Sequence, residues 1–395
     1  MSVPSARREP YGVLFVGGMR THLELYAPRF AADPRVRLVG VTDERGIDDG
    51  TRRLNEEAAR WLDIPYLPDL DAALADPAVS IVCVTPAVER RARVLTTCAA
   101  ADKHLYLDKP LVARRSELEH VHAAFRDSTS THRAYSFAKT PWLRHAIEVG
   151  DSGTLGTLTG IHAEVLYAKG QQDLDTPSVR KETGHPTYTF FDAKRELAEI
   201  GFYGISAILL LSPSRVRSVF ALTCNYFFEG HVRRDIEDFG TLMLRMQDGL
   251  VASVTAGRYG RSSHAQGGAQ RIRLVGTRGS ASFDAWERRL EVNGREEAVP
   301  ATTHPEDPLS MWPSTSTGPP TAPRWVSETT TVDWEQQDVS EFIDAIAQGR
   351  KDRLGIDHAV RVNEIILAAY QSAAIRQPVD VSGYLDDRAE DTPCT

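Results

Sequence analysis

Residues 11 to 110 alternate between short apolar segments and helical patterns, and this alternation constrains the fold more than any other feature of the chain. The strand candidates, rich in Val, Ile, Leu and aromatic residues, are Tyr11–Val16, Val36–Thr42, Val79–Thr85 and His104–Leu107. Helical patterns separate them at Asp49–Trp61, Leu70–Leu74 and Ala87–Ala101. Alternation at this spacing predicts βαβ units and therefore a parallel sheet.

The pattern changes after about residue 133, where many strand-like runs follow one another with few helices between them. The first of these runs is Thr157–Leu166 and the last is Ala281–Asp284. Such a pattern favours a mostly antiparallel sheet with one face open to solvent or to a partner. A length of 395 residues is too great for one ordinary core, so we predict two domains.

Composition and charge exclude several classes of function. The net charge is −8, and no Lys/Arg-rich stripe carries interleaved aromatic residues, which argues against nucleic-acid binding. The basic N-terminus lacks an apolar stretch, and the longest apolar run, Ala207–Leu211, is far too short for a membrane span. The four cysteines have no CxxC spacing, which is typical of reduced thiols in the cytoplasm and does not predict a metal site.

The strongest candidate for chemistry is Lys109. A short apolar strand ends abruptly at Asp108-Lys109-Pro110, and Pro110 cannot continue a ladder because it has no N–H. Lys109 is therefore held at the carboxyl edge of a strand, which is where open parallel sheets bind ligands. The alternative is a surface lysine in a turn.

A glycine turn follows the first strand. Gly17 and Gly18 allow close approach to a pyrophosphate at the N-terminus of the next helix. The spacing departs from G-x-G-x-x-G, because Arg20 or Thr21 stands where the third glycine would fall. By itself the turn is equally explained as a plain tight turn.

Two further strand ends support a dinucleotide site. Asp43 ends the second strand at the distance expected for an acid that binds the adenosine ribose, although it could instead cap a helix. An acid there would repel a 2′-phosphate and favours NAD over NADP, whereas Arg45 could reverse that preference. Thr85 and Pro86 follow another strand and could line a nicotinamide site.

These residues together resemble the glucose–fructose oxidoreductase/inositol dehydrogenase (Gfo/Idh/MocA) family over residues 11 to 382. Four features match in order: a glycine-bearing turn that ends in His22, the pair Thr85-Pro86, Asp108-Lys109-Pro110 in place of Glu-Lys-Pro, and Glu199-Ile200-Gly201-Phe202-Tyr203 in place of Asp-x-Gly-x-His. The resemblance implies an N-terminal Rossmann domain at 9–132. It also implies a C-terminal α/β domain at 133–385, whose mostly antiparallel open sheet forms oligomer contacts. The cofactor would be NAD, with NADP as an alternative, bound across the turn at Lys109.

The same resemblance implies roles for individual side chains. Lys109 would hold the substrate oxygen, and Tyr203, which stands where the family has histidine, would act as the acid or base. We expect Lys109 to lower the pKa of Tyr203, since an ammonium stabilises a phenolate. Tyr203 could instead be a packing residue of the core. Glu199 is a candidate substrate ligand or a partner for Arg195, and His185 is a candidate substrate ligand or a loop residue without a role in the site.

The predicted function is hydride transfer between a nicotinamide cofactor and a secondary alcohol or ketone of a sugar-like or cyclitol substrate. Lys194 and Arg195 could bind an anionic substrate group, although a solvated charge run explains them better. The expected assembly is a homodimer or homotetramer. Two alternatives stay open: a non-catalytic NAD(P)-binding sensor, and an enzyme of epimerase or hydrolase type that uses the nucleotide transiently.

Overall fold

The structure is a computed structural model that describes residues 9–167, 195–226, 229–232, 236–258, 270–284, 289–294, 305, 324–327 and 333–381. His185 and Lys194 lie outside the described residues, as does most of the Pro-, Ser- and Thr-rich segment at 300–325.

The first sheet is parallel and has the strand order β3-β2-β1-β4-β5-β6. Its strands are β1 (Tyr11–Val16), β2 (Val36–Thr42), β3 (Tyr66–Leu67), β4 (Ile81–Val84), β5 (His104–Leu107) and β6 (His132–Ala134). Its helices are α1 (Leu23–Ala31), α2 (Asp49–Leu62), α3 (Leu70–Ala75), α4 (Val88–Ala100) and α5 (Arg115–Ala124). All four residues of β4 are buried, as expected of a strand that helices cover on both faces. The predicted Rossmann-type sheet is confirmed.

The second sheet has the order β14-β13-β12-β11-β7-β10-β9-β8-β15. Its strands are β7 (Leu158–Tyr167), β8 (Val216–Cys224), β9 (Phe239–Met246), β10 (Val251–Arg258), β11 (Gln270–Gly276), β12 (Gly279–Asp284), β13 (Arg289–Gly294), β14 (Arg324–Ser327) and β15 (Val379–Asp380). Neighbouring strands are antiparallel except β7 and β10, so the predicted mostly antiparallel sheet is confirmed. The remaining helices are α6 (Pro141–Asp151), α7 (Glu196–Leu211), α8 (Glu229–Val232), α9 (Trp334–Ala347) and α10 (Ile356–Ile375).

Helix α7 is buried along nearly its whole length, because it packs between the second sheet and α10. Its first residues carry Glu199 and Tyr203, and the apolar run Ala207–Leu211 is its last turn and a half. None of the helices in the described part of the chain combines the length and the apolar character that a membrane crossing requires.

Helix α9 returns to the first domain and is joined to it by charged groups. Arg133 of β6 is buried and bridges Asp338 of α9, at 2.8 Å, and Asp352. The Tyr106 hydroxyl of β5 donates to the other oxygen of Asp338 at 2.6 Å. The first sheet ends at Ala134, two residues beyond the boundary predicted at residue 132, and the division into 9–132 and 133–385 stays a prediction.

Candidate active site

Three strand-end loops of the first sheet converge on one place. The turn after β1 meets the loop after β4, where the Thr21 hydroxyl lies 3.3 Å from that of Thr85. It also meets the turn after β5, where His22 Nδ1 lies 2.7 Å from Asp108 Oδ1. Because the strands are parallel and adjacent, their carboxyl ends share one edge, and the residues predicted there are brought together.

The two glycines of the first turn are required by neighbouring chain segments. Gly17 has φ +109°, and a Cβ there would lie 2.8 Å from the Thr85 hydroxyl oxygen. A Cβ on Gly18 would lie 2.5 Å from the carbonyl carbon of Leu54 in α2. A larger side chain at either position would therefore force apart the elements that form the loop.

The same turn presents backbone donors at the N-terminus of α1. Among the described residues, the amides of Gly18, Thr21 and His22 have no hydrogen-bond partner. Free amides at a helix N-terminus, together with the helix dipole, bind phosphate groups. The turn therefore fits the pyrophosphate of a dinucleotide.

Asp108 anchors the turn that carries Lys109. It accepts hydrogen bonds from His22 Nδ1, from the Tyr26 hydroxyl at 3.0 Å and from Arg91 Nη2 at 3.1 Å. Burial alone would raise the pKa of Asp108, but the charges of His22 and Arg91 hold it well below its usual range. Asp108 therefore stays ionised and keeps its three partners in place.

Arg91 of α4 ties two of the loops together and was missed from the sequence. Its guanidinium donates to the carbonyl oxygen of Pro86, at 2.8 and 3.2 Å, and to that of Pro110. Thr85-Pro86 and Asp108-Lys109-Pro110 are thus held by one buried side chain. The pattern of α4 contains a signal for it, because Val88, Arg91 and Leu95 share the helix's apolar face.

The Lys109 ammonium is buried in an ion pair with α7. Its Nζ donates to Glu199 Oε2 at 2.8 Å and to the Glu199 carbonyl oxygen at 2.9 Å. Only 3% of the Lys109 side chain and 7% of the Glu199 side chain are exposed. The pair joins the first domain to the second at the sheet edge, and it accounts for Glu199 better than a pairing with Arg195.

Arg195 instead supports the start of α7. It lies 3.2 Å from Glu237, which accepts hydrogen bonds from the Leu197 amide and the Tyr370 hydroxyl. The Tyr370 hydroxyl in turn accepts from the Ala198 amide at 2.9 Å. These contacts satisfy two amides of the first turn, and that turn fixes the position of Glu199.

Tyr203 follows Glu199 by four residues and so lies on the same face of α7. The Lys109 ammonium is 4.9 Å from the centre of its ring, and Phe137 stacks on that ring at 3.9 Å. Within the described part of the chain, no group hydrogen-bonds the Tyr203 hydroxyl. That hydroxyl is therefore available to a bound molecule.

The prediction that Lys109 lowers the pKa of Tyr203 is wrong for this structure. Burial raises that pKa well above its usual value, and the neighbouring groups Tyr135 and Tyr167 add to the effect. The positive charge of Lys109 is matched by the carboxylate of Glu199, which lies beside it and itself raises the pKa of Tyr203. Tyr203 is consequently a protonated phenol at neutral pH.

Asp43 lies at the end of β2, as predicted, but its carboxylate is fully buried and occupied. It accepts hydrogen bonds from Arg90 of α4, from Asn55 of α2 and from the Glu44 amide. Arg45 pairs with Asp69 instead of approaching Asp43. The sequence carried no signal for Arg90, since nothing in the pattern of α4 distinguishes it from a solvated arginine.

Family models match both parts of the chain. Residues 12–134 match the model described as an oxidoreductase family with an NAD-binding Rossmann fold, and residues 143–282 match the GFO/IDH/MocA C-terminal domain. No curated protein matches the sequence.

Several solved structures have the same fold. Levoglucosan dehydrogenase, in complex with NADH and levoglucosan, is 19% identical with a TM-score of 0.73, covering 94% of this chain and 100% of its own. GenD2 from gentamicin A biosynthesis, in complex with NAD, is 23% identical with a TM-score of 0.69, covering 96% and 99%. The aldose–aldose oxidoreductase from Caulobacter crescentus, complexed with glycerol, is 18% identical with a TM-score of 0.69, covering 94% and 100%.

The two family models follow one another along the chain: the first spans the first sheet, and the second spans the second sheet from β7 into β12. This chain therefore belongs to the GFO/IDH/MocA oxidoreductase family, and its first domain is the family's NAD-binding Rossmann domain.

Proposed function

We propose that this protein is an NAD(P)-dependent oxidoreductase that interconverts a ketone and a secondary alcohol on a sugar-like or cyclitol substrate. The observation that carries the proposal is the convergence of Lys109, Glu199 and Tyr203 at the edge of the first sheet. The glycine turn with its free amides reaches the same edge through the contact of His22 with Asp108. The nicotinamide supplies or accepts the hydride when the cofactor is bound. The protein's own side chains supply position and protons.

Lys109 is suited to hold the substrate oxygen. An ammonium beside an oxygen that gains negative charge stabilises that charge most strongly where water is excluded. Lys109 is buried and fixed by two hydrogen bonds to Glu199, so little reorganisation is needed when a substrate binds. Glu199 holds the ammonium in position from the opposite domain.

Tyr203 is suited to donate a proton. Because its pKa is raised, the phenol is protonated at neutral pH and can deliver its proton to an alkoxide as the alkoxide forms. This favours ketone reduction over alcohol oxidation. In the oxidative direction, the same hydroxyl would need a bound group that stabilises its phenolate.

The substrate class rests on the composition of the site and on the related structures. The rings of Tyr135 and Phe137 contact Tyr203, and Trp334 packs against both of them. Aromatic side chains with a few polar groups among them are typical of sites for small organic ligands. The related proteins that hold levoglucosan or glycerol support a polyol or sugar. His185 stays a candidate ligand for a substrate hydroxyl.

The test is to follow oxidation of the reduced cofactor by the purified protein across a panel of keto sugars and cyclitol ketones, then to repeat it with Lys109→Ala and Tyr203→Phe. Each variant is expected to lower kcat/KM about 10²- to 10⁴-fold, as loss of a positioned acid or charge does. Tyr135→Phe is the matched control, because it removes a neighbouring hydroxyl with no proposed role in proton transfer. Full turnover by both site variants would refute the assignment.

We also propose that the protein is a homodimer or homotetramer in the cytoplasm. The outer face of the second sheet exposes Leu222 and Met243, each 54% accessible, on the neighbouring strands β8 and β9. Exposed large apolar side chains on one face favour contact with a second copy. Cys83, Cys98 and Cys224 are free thiols, which supports a reducing compartment.

A further inference from the structure

The carboxylate of Asp43 has no remaining capacity to accept hydrogen bonds. Its Oδ1 accepts from Arg90 Nη1 at 2.5 Å and from the Glu44 amide at 2.9 Å. Its Oδ2 accepts from Asn55 Nδ2 at 2.9 Å and from Arg90 Nη2 at 3.2 Å. A carboxylate offers about four lone-pair positions, and all of them are filled. With 0% of its side chain exposed, Asp43 cannot also accept from a ribose hydroxyl in this arrangement.

Arg90 is more exposed to solvent than its partner Asp43, and it retains N–H groups that can donate further hydrogen bonds. A guanidinium has five N–H groups, of which two point to Asp43 and one reaches Glu44 Oε2 at 3.4 Å. Its Nε–H and the second hydrogen on Nη2 have no partner within the described residues. Its side chain is 20% exposed and lies beside the carboxyl end of β2, where it contacts Asp43.

The charges around Arg90 cancel in pairs. Arg93 pairs with the Glu44 carboxylate at 3.0 and 3.2 Å, and Arg45 pairs with Asp69 on the other side. No acid among these groups is left unpaired to repel an anion. A 2′-phosphate at this edge would therefore meet the Arg90 guanidinium and not a free Asp43 carboxylate.

We infer that Arg90 binds the ribose end of the cofactor and that this protein accepts NADP(H) as well as NAD(H). An arginine fork is the side chain best suited to a phosphate, and a ribose hydroxyl can accept from the same N–H groups. Asp43 acts through Arg90 by holding its guanidinium in a fixed plane. The inference rests on the proposed function, because it requires the nucleotide to lie along the carboxyl edge of the first sheet.

The test is a set of fluorescence titrations of the purified protein with NADH and with NADPH. The wild type is expected to bind NADPH at least as tightly as NADH. Arg90→Gln removes the fork, so NADPH affinity should fall about 10- to 100-fold, as expected for a lost charged hydrogen bond, and NADH affinity should fall less, because a ribose hydroxyl carries no charge. The NADPH affinity of Arg90→Lys should lie between that of the wild type and that of Arg90→Gln. Arg93→Gln is the control, since it removes an equal charge from a side chain that does not contact Asp43.

Each result separates the inference from the proposed function. NADH binding with NADPH at least tenfold weaker in the wild type would overturn the role of Arg90 and leave the proposed function standing. Binding of neither nucleotide would overturn the proposed function itself. If Arg90→Gln does not fold, the relative affinities of the wild type for NADH and NADPH still test the inference. Displacement of NADH by 2′,5′-ADP more readily than by 5′-AMP supports the inference, and equal or weaker displacement refutes it.

Discussion

The buried pair between Lys109 and Glu199 makes two separable predictions, one on stability and one on activity. Lys109→Met leaves the Glu199 carboxylate buried without its ammonium, and losing one partner of a buried pair costs about 3–5 kcal/mol. With an unfolding entropy of about 2.1 cal/mol/K per residue, or ~0.8 kcal/mol/K for a chain of this size, the thermal midpoint should fall by about 4–6 °C. Differential scanning fluorimetry measures this shift.

A second variant tests whether the loss comes from the unpaired charge. Lys109→Met combined with Glu199→Gln replaces the stranded carboxylate by a neutral amide, so the double variant should recover about 2–3 kcal/mol of the loss predicted by adding the single variants. Its turnover should stay as low as that of Lys109→Met, because the group proposed to hold the substrate oxygen is still absent. Strict additivity of the midpoints would refute the buried pair. Recovery of turnover would refute the proposed role of Lys109.

Three further predictions concern other parts of the molecule. Arg133→Met should lower the free energy of unfolding by about 3–5 kcal/mol in urea titrations, because it strands the two buried aspartates that it bridges. Burial lowers the pKa of His132 and of His358 to about 4, so the unfolded state binds more protons below pH 6.5. Each histidine should therefore cost about 2 kcal/mol of stability between pH 7 and pH 5, and His358→Asn should flatten that dependence. Met243→Lys should shift the protein toward the monomer in light scattering, and an unchanged mass would exclude this face from the assembly.

The first domain was predictable because local pattern determines it. Buried parallel strands have a nearly continuous apolar sequence, so β1, β2 and β5 begin and end at the predicted residues. The position of Lys109 at the carboxyl edge of the sheet was predicted from the end of the apolar strand and from Pro110. Thr21 and Thr85 lie in loops that follow two different strands, and parallel topology alone predicts that these loops meet at one edge of the sheet.

The partners of the predicted residues were not predictable, because they come from elements distant in sequence. Glu199 lies 90 positions from Lys109, and Arg90 lies 47 positions from Asp43. A sequence pattern identifies a charged group at a strand end but not the group that neutralises it. The predicted lowering of the pKa of Tyr203 was wrong for this reason. The direction of that shift depends on whether the neighbouring ammonium is already paired.

The charged groups of the site are therefore already paired with opposite charges before any ligand binds. This pairing explains how so many buried ionisable groups are tolerated in one place. Asp108 is balanced by Arg91, and Lys109 is balanced by Glu199. A buried charge without a partner would cost several kcal/mol, whereas each pair places one group at the sheet edge at little net cost. Tyr203 is the exception, because it is neutral and its hydroxyl has no partner within the described residues. A neutral proton donor beside a compensated ammonium fits the proposed reduction of a carbonyl, since negative charge then appears only as the reaction proceeds.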